Sequence, residues 1–152
     1  MNKREIIFRR GAVIDAFVSI ELMINAIISM HYLKTVDTGF VIDVLNNEMS
    51  SFGFKKTLLK QILGEEIYKS DFQNLEKLNR IRNLFGHASL KLKNGENIAD
   101  EKAVIYFNDP KKPGNEVDPK TESEEFEKLF LLVDNWLITA GKEKGINYTE
   151  TD

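Results

Sequence analysis

From Ala12 to Leu33 most residues are apolar, and only Asp15 and Glu21 carry a full charge. That stretch constrains the fold more than any other. Its periodicity predicts one long helix over residues 4–33. Asp15, Ser19, Glu21, Asn25 and Ser29 fall in a single sector, roughly 160° wide at about 100° per residue. The apolar face left over is wide. A helix of this kind is expected at the centre of a bundle or shared with a second subunit. Asp15 and Glu21 also interrupt it as a membrane span, which needs about 20 mostly apolar residues. The uncharged run that begins at Leu22 is too short. Charges among the first ten residues leave no signal-peptide core.

At 152 residues the chain can bury a real core as one domain. It has no cysteine, which excludes disulfides, thiolate metal sites and cysteine nucleophiles, and fits a reducing cytoplasm. His31 and His87 are too far apart in the sequence to suggest a zinc site. His31 suits the negative end of the first helix. No Walker loop, dinucleotide fingerprint or serine elbow is present. Glu122, Glu124, Glu125 and Glu127 read as a solvated helix face rather than a magnesium site. No metal and no cofactor is expected.

The remaining elements follow from local signals. Residues 40–50 are expected to form a second helix with Phe40, Val41, Val44 and Leu45 inward, broken by Ser50, Ser51 and Gly53. A third covers 54–63, with Gly64 at its C-cap. A fourth runs from about Asp71 to His87 behind Ser70, with Leu75, Leu78, Ile81 and Phe85 buried. Ser89 to Lys93 alternates, Asn94-Gly95 is a hairpin turn, and Ala103 to Phe107 is β-prone. Residues 109–114 form a loop. Thr121 and Glu124 make a capping box for a last helix that Gly141 stops. The expectation is a mainly α, single-domain bundle of four or five helices over residues 1–145. It carries a small β-hairpin or extended excursion between the last two helices, and residues 146–152 form a loose tail.

Charge is unevenly spread. Residues 55–93 hold nine Lys and Arg against four Asp and Glu, whereas residues 116–152 hold four against ten. A net charge of −3 gives no global case for nucleic acid, but the middle could attract a polyanion locally. Phe52, Phe54, Tyr68 and Phe72 interleave with Lys55, Lys56, Lys60 and Lys69. They suit base stacking over a basic groove, or more simply a core.

One constellation in the basic segment has a chemistry of its own: Arg82-Asn83-Leu84-Phe85-Gly86-His87. Asn83 and His87 are i,i+4 neighbours on one helix face. Arg82 projects about 100° away, at the border of the apolar stripe. A guanidinium there needs a partner. It could pair with Asp15 or Glu21, or swing its head to the Asn83–His87 face. Together the three groups suit RNA transesterification. His87 can take the 2′-hydroxyl proton, Arg82 can bind phosphate, and Asn83 can position either. One His is thin for both acid and base work, and a two-fold dimer would bring two motifs to one cleft.

Leu78 to His87 resembles the Arg-x4-6-His signature of the HEPN superfamily (higher eukaryote and prokaryote nucleotide-binding). Arg82, Asn83 and His87 match its commonest form, and Arg80 gives a second legal spacing. The resemblance implies an all-α bundle that often dimerises, with Arg and His meeting between protomers. It implies a metal-independent endoribonuclease of a toxin–antitoxin or phage-defence system. Arg82, Asn83 and His87 would be catalytic, with Arg80, Lys91 and Lys93 on the RNA. Expected partners are a second copy, RNA, and an antitoxin or regulatory protein, with no membrane. Ser89 stands where members silenced by modification carry Tyr, which puts that silencing in doubt. Ile81 to His87, followed by a β-prone run ending in Phe107-Asn108-Asp109-Pro110, also looks like the mannitol operon repressor family. That likeness implies a non-catalytic regulator.

Overall fold

A computed structural model describes residues 1–47, 50–92, 105–109 and 114–148. Among them the fold is mainly α, with a small antiparallel sheet between the last two helices. The helices are α1 (Lys3–Leu33), α2 (Thr38–Phe40), α3 (Phe52–Leu63), α4 (Lys69–His87) and α5 (Pro119–Glu143). A π-helical stretch, Val41–Leu45, follows α2 directly. The strands β1 (Ser89–Leu92), β2 (Ile105–Asn108) and β3 (Glu116–Val117) pair in sequence order. Leu90 sits opposite Phe107, and Phe107 opposite Val117. Asn94-Gly95, Lys93 and most of the 109–114 loop lie outside the described residues.

The chain divides into two compact units. The first comprises Met1–Phe17 and Leu75–Phe130. Its interior is built from Ile6, Val13 and Phe17 of α1, Leu75 to Phe85 of α4, the inward residues of β2, and Phe126 of α5. Phe85 meets Phe107 edge to face at 4.9 Å, which ties α4 to the sheet. The second comprises Val18–Asn74 and Leu131–Asp152. Its interior holds Ile20, Ile24, Ile27 and Ile28 of α1, Leu45, Leu59, Phe72 and the Trp136 side of α5. Trp136 packs edge to face on Phe72 at 5.0 Å.

Several local expectations are corrected. Asn25 and Ser29 point inward rather than out. The Asn25 amide donates to Asn46 Oδ1 at 3.0 Å, and Ser29 Oγ donates to the Thr35 carbonyl and accepts from the Asp37 amide. The Asn25 Nδ2 and Ser29 Oγ atoms therefore have partners that helical periodicity cannot reveal, whereas Asn25 Oδ1 is buried without one among the described residues. Phe8 and Leu22, by contrast, are exposed. Lys34, at φ 61°, ends α1 in the left-handed region. The second helix stops at Leu45 instead of residue 50, and Val44 is exposed. α3 starts at Phe52, two residues before the expected start, and Ser51 caps it by accepting from the Phe54 amide. α4 begins at Lys69, so Ser70 lies within its first turn rather than before it. By length and composition α1 could cross a membrane, although 39% of its most apolar window is buried in the fold.

Candidate functional site

The C-terminal half of α4 presents the Arg82–His87 motif. Its apolar positions, Leu78, Ile81, Leu84 and Phe85, are buried and fix which way the polar ones face. Arg82 and Asn83 are half-buried, and His87 is exposed at the last helical position. Arg82 reaches back across its own helix: its Nη1 donates to Asn83 Oδ1 at 2.9 Å. Its guanidinium also lies over the Phe17 ring, 4.6 Å from the centroid. The two side chains that the helical wheel separates are thus brought together by Arg82's long stem. Asp15, one of the two carboxylates expected to hold Arg82, is exposed and pairs with no described residue. Glu21 lies in the other unit, with its carboxylate 3.6 Å from the Lys55 ammonium.

The His87 imidazole makes no hydrogen bond with the side chains or backbone of the described residues. The residue's position at the end of α4 places the imidazole beside the last turn of the helix. Arg10, a residue the motif does not include, secures that end. Its Nη2 donates to the Ala88 carbonyl at 2.6 Å, immediately after His87. Its guanidinium stands 5.5 Å from the centre of the Phe107 ring. Arg10 Nε is buried without a hydrogen-bond partner among the described residues. The sequence carried a sign of this role: Arg10 falls on the Ile6–Val13–Phe17 side of α1, where a charge needs a reason.

The expected RNA contacts divide. Arg80 is exposed, but its guanidinium is bound by α5: Nη1 and Nη2 donate to Glu122 at 3.3 and 2.8 Å, and Glu125 lies 3.9 Å away. Arg9 is likewise held by Glu127 and Ser123. Lys91 is exposed on β1, opposite Tyr106. Lys93 lies outside the described residues. In the second unit part of the aromatic–lysine mix is packed inside. Phe72 is buried, and Lys55 is turned inward, with its ammonium 3.1 Å from Asn46 Oδ1. Lys60 stands over the Phe72 ring. No group of three or more His, Asp or Glu that could hold a metal ion occurs among the described residues.

The arrangement offers a fixed guanidinium–amide pair and, one helical turn on, an accessible imidazole. Chemically that is an anion contact beside a proton acceptor. No family model matches the chain, and neither a curated protein nor a solved structure matches it.

Proposed function

We propose that the chain is a metal-independent endoribonuclease of the HEPN type, acting through Arg82, Asn83 and His87. The observation that carries the reading is the Arg82–Asn83 hydrogen bond next to an unpartnered, exposed His87 on the same helix. In the proposed reaction His87 accepts the proton of a ribose 2′-hydroxyl. The 2′-oxygen bonds to phosphorus as the bond to the 5′-oxygen breaks. The products are a 2′,3′-cyclic phosphate and a 5′-hydroxyl, whose proton comes from a general acid or water. Arg82 supports the extra negative charge on the phosphoryl oxygens, and Asn83 keeps the guanidinium aimed. Lys91 is the nearest exposed lysine in the sequence for binding the RNA backbone.

The test is cleavage of end-labelled RNA in excess EDTA. Wild type is expected to cut. His87→Ala should lose on the order of 10²-fold or more in rate with the fold intact by circular dichroism. Arg82→Ala should lose a comparable factor. Cutting that survives His87→Ala at full rate would remove the imidazole from the mechanism and sink the reading.

A second reading is favoured by one specific observation. Arg82 is half-buried and committed to Phe17 and Asn83, as a structural arginine would be. On that reading the chain is a non-catalytic regulator or an RNA- or nucleotide-binding module, of the kind that the mannitol-repressor likeness implies. RNA binding without cutting, unchanged in His87→Ala, would favour it.

A further inference from the structure

One side of the first four turns of α1 is exposed, with no partner among the described residues. Arg4, Phe8, Gly11 and Asp15 recur at spacings of four, three and four, so they line one stripe of the helix. The buried residues Ile6, Val13 and Phe17 lie on the opposite side. All four stripe residues are exposed, Phe8 at 74%. Ile7, 59% exposed, and Ala12 flank them. A side-chain carbon added at Gly11 would meet nothing within 4 Å. Neither Arg4 nor Asp15 pairs with a described residue.

We infer that this stripe is a self-association surface, occupied by the same stripe of a second copy running antiparallel. The spacing reads the same from either end, so a two-fold axis between residues 9 and 10 superposes it on itself. Arg4 then faces Asp15 of the second copy, and Phe8 faces its Gly11, where the missing side chain leaves room for the ring. A parallel pairing would set Arg4 against Arg4 and Asp15 against Asp15, so charge selects the antiparallel one. Arg9 and Arg10 flank the axis and would otherwise repel across it. Both are drawn to other sides of the helix, Arg9 to Ser123 and Glu127 and Arg10 to the Ala88 carbonyl. The surface needs nothing from the nuclease reading.

Four turns of helix form less than a standard interface of about 1,200–2,000 Å². The dimer therefore forms and dissolves with concentration. Sedimentation equilibrium of the full chain over a range of concentrations should show a reversible monomer–dimer equilibrium. Phe8→Glu should raise the dissociation constant more than about tenfold. Gly11→Leu fills the ring's seat while keeping a strong helix former, so it should weaken the dimer without destabilising the monomer. Arg4→Asp and Asp15→Arg should each weaken it, and the double charge swap should restore it. A chain that stays monomeric throughout overturns the inference. So does a dimer indifferent to Phe8→Glu, or one that the double swap fails to rescue. Binding of wild type, but not Phe8→Glu, to neutral phosphatidylcholine vesicles would identify a lipid surface as the occupant and overturn it as well.

Discussion

Asp118 and Asp134, both near or on α5, respond to the fold in opposite directions. Partial burial works to raise the pKa of Asp118. Its hydrogen bonds outweigh that: Oδ2 accepts from the Thr121 hydroxyl at 2.8 Å, and Oδ1 from the Lys120 amide at 3.1 Å. The net shift is downward. Asp134 accepts no such compensation, and burial pushes its carboxyl up. The signs follow from linkage. The stabilisation that Asp118 gives is present above its unfolded value near 3.9, and is lost as pH falls through its lower folded value. Asp118→Ala should cost about 1 kcal/mol at neutral pH, and thermal melts should show the gap from wild type closing in acid. Asp134 works the other way. Its charged form is disfavoured in the fold, so stability falls as pH rises from the unfolded value through the folded one. Asp134→Asn should therefore raise the melting temperature at neutral pH and flatten that part of the pH profile. A stability profile identical to wild type would rule the burial effect out.

At the level of elements, α5 shows how much of the chain can be read locally. Its inward residues, from Phe126 through Leu137, follow from periodicity alone. Its ends do not. Thr121 and Glu124 form a legitimate capping motif, but Asp118 lies just ahead and Pro119 suits the first helical position, so the helix starts earlier. Thr121 then donates its hydroxyl to Asp118 instead of accepting an amide. At the other end Gly141 lies inside the helix, and Gly145, at φ 88°, stops it. The Ile146 amide donates to the Gly141 carbonyl and the Gly145 amide to that of Lys142, the double closure of a Schellman motif. Gly145→Ala must hold a side chain at that φ and should lower stability by about 1 kcal/mol or more, read from denaturant unfolding. The same limit explains α1 and the motif. Which side of α1 is buried depends on partners beyond its own end, Asn46 for Asn25 and Thr35 for Ser29. That Arg82, Asn83 and His87 lie near one another was legible because one helix carries all three. Arg10 was missed because its role arises only when α1 meets the end of α4.

For the molecule as a whole, part of the charge segregated along the sequence is paired off among the described residues. The acidic start of α5 is matched to arginines of the first unit: Arg80 with Glu122 and Glu125, Arg9 with Glu127. Attraction for a polyanion is correspondingly blunted, and the RNA binding proposed above should weaken only gently with salt. Replacing Glu122 and Glu125 with Gln should release Arg80. In that variant RNA binding should tighten, and the salt dependence should steepen by about 0.7 in log–log slope for one added contact to a single strand. No change in slope would mean that Arg80 does not reach the backbone even when freed. Three helices, α1, α4 and α5, each run from one compact unit into the other. Each unit is therefore stitched from separated stretches of chain. No single uninterrupted fragment contains one unit and omits the other, so dissecting this protein by truncation should yield pieces that lack a finished interior, and evolution could not have borrowed either half alone in a single cut.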